Sequence, residues 1–99
     1  MKERCVVLAP EAADDLNALY DWIAGRATPR VAMRYLERVE DFMGRLGVGS
    51  ERGSLRTDIR PGLRIVGFER RLTVAFTVEE DTVTVLRVFA GGRSWESSF

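Results

Sequence analysis

Residues 10–46 read PEAADDLNALYDWIAGRATPRVAMRYLERVEDFMGRL, and this stretch decides the fold. Pro10 suits the first turn of a helix, and Glu11, Asp14 and Asp15 follow at the positive end of its dipole. Ala12, Leu16, Leu19, Tyr20 and Ile23 then recur at helical spacing, and Gly25 is expected to close the element. Thr28-Pro29 restarts a helix, with Thr as N-cap and Pro at the first helical position. Ala32, Tyr35, Leu36, Val39, Phe42, Met43 and Leu46 form its apolar stripe, ended by Gly47. So short a connection between two helices forces an antiparallel hairpin.

The flanks supply a sheet for that hairpin to cover. Upstream, residues 4–9 are a short apolar run ended by Pro10 and read as a strand. Downstream, residues 47–61 are polar, glycine-rich and without period, which predicts a loop. The Gly47–Gly53 run has the wrong spacing, and the wrong preceding element, for a phosphate-binding loop. Strands are predicted at 62–68, 72–79 and 82–89, with a polar tail at 90–99. Leu72, Val74, Phe76 and Val78 alternate with Thr73, Ala75 and Thr77, the mark of a half-buried strand. Residues 82–89 are apolar on nearly both faces and so belong in the middle. The expected architecture is a single α+β domain over residues 1–99. It has two layers in the order β-α-α-β-β-β, an antiparallel sheet packed on one side by the helical hairpin.

Composition bounds the chemistry. The 99 residues are 45% hydrophobic and 30% charged, with fifteen basic and fifteen acidic side chains and no net charge. No apolar run approaches the length that spans a bilayer, and the N-terminal run is too short for a secretory signal. A cytoplasmic protein is expected, an inference to which the single Cys5 adds a little. There is no His, and Lys2 is the only Lys beside fourteen Arg. Histidine triads, Cys-His dyads and Cys-rich or His-containing metal sites are therefore excluded, and no cofactor is expected. Zero net charge also argues against a protein that coats nucleic acid or binds it directly by sequence.

Four stretches together resemble a known family: VVLAPEAADDLNALYDWIA (6–24), AMRYLERVEDFMGRL (32–46), LRTDIRPGLRIVGF (55–68) and VTVLRVFAGGRSWE (83–96). They are similar to RelE/ParE toxins, the small bacterial toxins of type II toxin-antitoxin systems. The most specific pieces are Pro-Gly-Leu-Arg at Pro61–Arg64 and Leu-Arg-Val-Phe-x-Gly-x-Arg at Leu86–Arg93. The resemblance implies one of two activities. RelE-like toxins cleave mRNA on the ribosome, and ParE-like toxins act on DNA gyrase without a known reaction of their own.

The residues favour the second branch. A ribonuclease must deprotonate a 2′-hydroxyl, stabilise a phosphorane and protonate the leaving oxygen. Arg64, Arg87 and Arg93 could supply the electrostatic part if they converge over the open face of the sheet. The acid and base are missing: Tyr20 and Tyr35 lie on the helix stripes, and the tail carries Trp95, Glu96 and Phe99 where RelE-like tails carry Tyr or His. The expectation is a ParE-like inhibitor of DNA gyrase, of the plasmid-stabilisation kind, held silent by a ParD-like antitoxin and without catalytic residues. The alternatives are a RelE-like ribosome-dependent mRNA interferase and a non-toxic relative that keeps only antitoxin binding.

Two residue sets follow from that expectation. Arg64, Arg87, Arg93, Trp95 and Phe99 are expected to contact the target or carry toxicity. Trp95 could equally cover the end of the sheet, and Arg87 could equally hold an internal ion pair with a carboxylate. Trp22, Met33, Leu36, Arg70 and Arg71 are expected to meet the antitoxin. Trp22 and Met33 fall off the main stripes, which suits either the hairpin's edge or a groove for another chain. Arg26, Arg30, Arg34, Arg38 and Arg45, interleaved with acids, read as a solvated helix face.

Overall fold

The computed structural model describes residues 3–49, 51–91 and 95–99. Its elements are β1 (Cys5–Leu8), α1 (Pro10–Arg26), α2 (Pro29–Arg45), β2 (Ser54–Leu55), β3 (Leu63–Phe68), β4 (Leu72–Val78) and β5 (Thr82–Ala90). A 3₁₀ turn, Trp95–Ser98, ends the chain. It is an α+β protein with one five-stranded sheet in the order β1-β5-β4-β3-β2.

Local chemistry sets the helix boundaries. Pro29 opens α2, and the Thr28 hydroxyl accepts the Val31 N–H at 3.1 Å, satisfying one of the orphan donors of the first turn. α1 has Pro10 at its start but no side-chain cap; the Ala9 carbonyl takes the first N–H groups instead. Gly25 does not end α1, which runs on through Arg26.

The sheet is mixed rather than wholly antiparallel, because β1 pairs parallel to β5. The helical hairpin explains this. It makes an excursion and returns the chain to where it started, so that the Arg4 N–H donates to the Gly47 carbonyl at 2.8 Å. β3 therefore sets out from the same end as β1. The two reversals into β4 and β5 leave β5 with the direction of β3.

Two further features depart from the sequence expectation. The segment expected to be loop contains β2, paired with Ile65 and Arg64 of β3. Its approach depends on Gly53, at φ +72°, where any Cβ would collide with the Ile65 carbonyl. The second feature is a bulge in β5: Ala75 pairs with Arg87 and Phe76 with Val85, leaving Leu86 extra. The bulge shifts the alternation of β5. Val83 and Val85 face the helices before it and Val88 after it, whereas Phe89 falls on the other side.

Each face of the sheet has its own core. Under the helices, Ala12, Leu16, Tyr35, Leu36, Val39, Met43 and Leu46 pack on Leu72, Val74, Phe76, Val83, Val85 and Val88. On the far face, Leu63, Ala75 and Phe89 form a smaller cluster with Ile59, Ile65, Leu86 and Trp95.

The β3–β4 turn carries backbone strain. Glu69 and Arg70 both sit at positive φ, +51° and +58°, and the Arg71 N–H closes the turn on the Phe68 carbonyl at 3.0 Å. Two left-handed residues suit the twist of a hairpin, but each non-glycine residue pays about 1–2 kcal/mol there. Arg70→Gly is therefore expected to raise stability by about 1 kcal/mol, read as a higher urea midpoint with an unchanged slope.

Candidate functional site

A groove of about 1000 Å³ opens between the tip of the helical hairpin and the end of the sheet that holds the β3–β4 turn. Leu19, Trp22 and Ile23 of α1 line one wall, with Val31 and Tyr35 of α2 on the other, while Leu72, Val88 and Ala90 form the sheet side. Four arginines, Arg26, Arg34, Arg38 and Arg71, share the lining with one acid, Asp15. Trp22 and Val31 are large apolar side chains left exposed, 60% and 48% respectively. Exposed apolar surface ringed by cations is the mark of a surface built to be covered.

Asp15 is not free to receive a partner. Its carboxylate accepts Nε and Nη2 of Arg87 at 2.8 and 3.0 Å, and the Val88 N–H at 2.8 Å. β1 ends at Leu8, opposite Val85, so the Val88 N–H lies beyond its reach. Asp15 takes over there as α1 runs on along the edge of β5. Its role is therefore to close a sheet edge, a different task from the helix-dipole one expected from its position. The hydrogen bond to Asp15 holds the Arg87 guanidinium firmly protonated.

Arg38 reaches the strained turn. Its Nε and Nη2 donate to both oxygens of Glu69 at 3.1 and 3.0 Å, and its guanidinium lies 4.9 Å from the centre of the Tyr35 ring. The hydrogen bonds from Arg38 hold the Glu69 carboxyl below its usual range. Tyr35 is 7% exposed, and its hydroxyl is buried with no hydrogen-bond partner. Burial, with a smaller contribution from Glu69, pushes that hydroxyl's pKa up.

On the far face the end of the chain folds back over the sheet. Trp95 packs on the Leu63–Ala75–Phe89 cluster, and the Phe99 ring meets Phe89 edge-on at 6.1 Å. The Arg56 guanidinium lies 5.2 Å from the Trp95 ring centre, oriented by Asp58, whose oxygens it contacts at 3.0 and 2.9 Å. That pairing lowers the Asp58 pKa.

The residues singled out from sequence do not form one site. Arg64 lies opposite Phe76 on the helix side of the sheet and donates to the Arg52 carbonyl at 3.3 Å. Arg87, displaced by the bulge, pairs with Ala75 of the far-face cluster and lies 4.9 Å from the Phe89 ring. The two arginines therefore do not converge, and Arg87 holds the internal ion pair that sequence left as one of two options. Arg93 lies outside the described residues. Of the five expected antitoxin contacts, Trp22 and Arg71 line the groove. Arg70 is exposed at the turn, and Met33 is exposed but outside the groove lining. Leu36 is packed in the main core, almost wholly buried, and is not part of the groove lining.

Sequence reasoning missed Tyr35, Arg34 and Arg38 as groove residues. The signal was present in Val31-x-x-Arg34-Tyr35-x-x-Arg38, an apolar and aromatic pair flanked by arginines one turn apart.

The model of the ParE toxin of type II toxin-antitoxin systems, parDE, matches residues 6–95. The chain belongs to the ParE toxin family. This ParE-family chain is similar in fold to a chain of the chromosomal ParDE system of P. aeruginosa, with TM-score 0.77 and 24% identity, covering 89% of this chain and 96% of that one. It is also similar to a chain of the RelBE2 toxin-antitoxin complex of Mycobacterium tuberculosis, with TM-score 0.57 and 18% identity, covering 94% and 97%. No curated protein matches the chain significantly in sequence. Among the described residues no helix is long and apolar enough to cross a membrane.

Proposed function

We propose that this ParE-type toxin inhibits DNA gyrase in the cytoplasm and is silenced when a ParD-like antitoxin occupies the groove at the hairpin tip. The observation that carries the antitoxin half is the groove itself: exposed Trp22 and Val31 on an apolar lining that includes four arginines. A chain that folds on binding, with apolar anchors and carboxylates, satisfies both features at once.

The gyrase half rests on family membership and on the arrangement of the arginines. Arg87 is committed to Asp15, and Arg64 is turned toward the Arg52 carbonyl. Such an arrangement suits a toxin that works by binding better than one that must gather cations around a scissile phosphate. The likeness in fold to the RelBE2 chain makes an mRNA interferase the second reading.

Expression without antitoxin separates these readings. Filamentation with DNA-damage signalling, relieved by a gyrase variant that no longer binds the toxin, is the expected result. Rapid translation arrest with cut mRNA would establish the interferase instead, and the absence of any growth effect would establish a non-toxic relative.

A further inference from the structure

We propose that the Tyr35 hydroxyl is a recognition point inside the groove, donating a hydrogen bond to one carboxylate set among the apolar anchors of an acidic, amphipathic partner segment. This rests on the groove reading above and adds what that segment must carry.

Tyr35 lines the groove, is almost fully buried, and bears a hydroxyl without a partner. A phenylalanine would pack equally well against Phe68, whose ring centre lies 6.2 Å away, so packing does not account for the oxygen. Arg38 and Arg71 are among its electrostatic neighbours, and Arg34 shares the groove lining. All three are donors only and cannot accept from the hydroxyl. Glu69, the neighbouring acid, is held by Arg38. Asp15, the acid in the lining, has both oxygens engaged by Arg87. The subsite thus presents donors and positive charge with no carboxylate of its own to spare. A carboxylate is the ligand that accepts from a neutral hydroxyl while also answering the arginines; an amide carbonyl does only the first.

The experiment uses the intact chain and two synthetic helical peptides. Both carry leucines at i, i+4 and i+7; one has a single glutamate within that stripe and the other a methionine, which offers the hydroxyl no oxygen acceptor. Calorimetric titration is expected to show the glutamate peptide binding about tenfold more tightly or better. In Tyr35→Phe this preference should shrink about tenfold, while the methionine peptide binds as before and the variant melts no lower than the parent. Equal binding of the two peptides, or a preference undiminished in Tyr35→Phe, overturns the proposal and leaves the groove reading standing. Binding of neither peptide removes both. A concentration-dependent dimer of the free chain, dissociated by the peptides, would assign the groove to a second copy and likewise overturn the proposal.

Discussion

Replacing Asp15 by alanine is expected to lower stability by about 2–3 kcal/mol, a fall in Tm of roughly 10–20 °C for a chain of this size. The substitution strands two groups together. Arg87, 28% exposed in its side chain, loses both of its short contacts, and the Val88 N–H loses its acceptor beyond the end of β1. Breaking a half-buried pair from one side costs more than removing it whole, because the remaining charge stays desolvated. Adding Arg87→Met to Asp15→Ala should therefore recover part of the loss. Thermal melts of the two variants, compared with the single Arg87→Met, complete the cycle. A loss below about 0.5 kcal/mol for Asp15→Ala would make the pair an ordinary surface one.

The second large effect concerns the end of the chain. Deleting residues 94–99 is expected to abolish toxicity while leaving antitoxin affinity close to that of the full chain. The groove lies at the hairpin tip, whereas Trp95 and Phe99 lie against the far-face cluster. Deletion also uncovers Phe89, which is 1% exposed when the tail is in place, and should cost about 2–3 kcal/mol. Growth arrest must therefore be measured well below the melting temperature of the truncated chain. Trp95→Ala and Phe99→Ala then show which ring carries the effect. A truncated toxin that still arrests growth would move the target contact elsewhere.

The helices were legible because their determinants are local. Thr28-Pro29 is a start signal complete in two residues, and Val39 and Met43 fall on the inner stripe by spacing alone. The bulge was not legible, because Leu86 is extra only relative to the partner that β4 offers, and nothing within residues 82–89 themselves marks a break in the alternation. β2 escaped because its two residues are held by the close approach of Gly53 to β3, with no hydrophobic period behind them. The groove draws on α1, α2, β4 and β5 together. No single segment announces it, and arginines that face a shared cleft look in sequence like arginines that face water. Asp15 was hidden for a similar reason: among three acids early in a helix, only the path of β5 singles one out.

The parallel pairing of β1 with β5 has a consequence for biosynthesis. β5 lies between β1 and β4, yet it follows every other strand in the chain. As the polypeptide emerges, the helical hairpin and the β3–β4 hairpin can form from neighbouring residues, but β1 has no strand to pair with until Thr82–Ala90 arrives. Chains halted before that point lack the strand that joins β1 to the β4-β3-β2 meander, and with it Val83, Val85 and Val88 of the main core. Prematurely terminated products are therefore expected to be unfolded and open to proteolysis, so that only ribosomes reading through the last strand release a folded toxin.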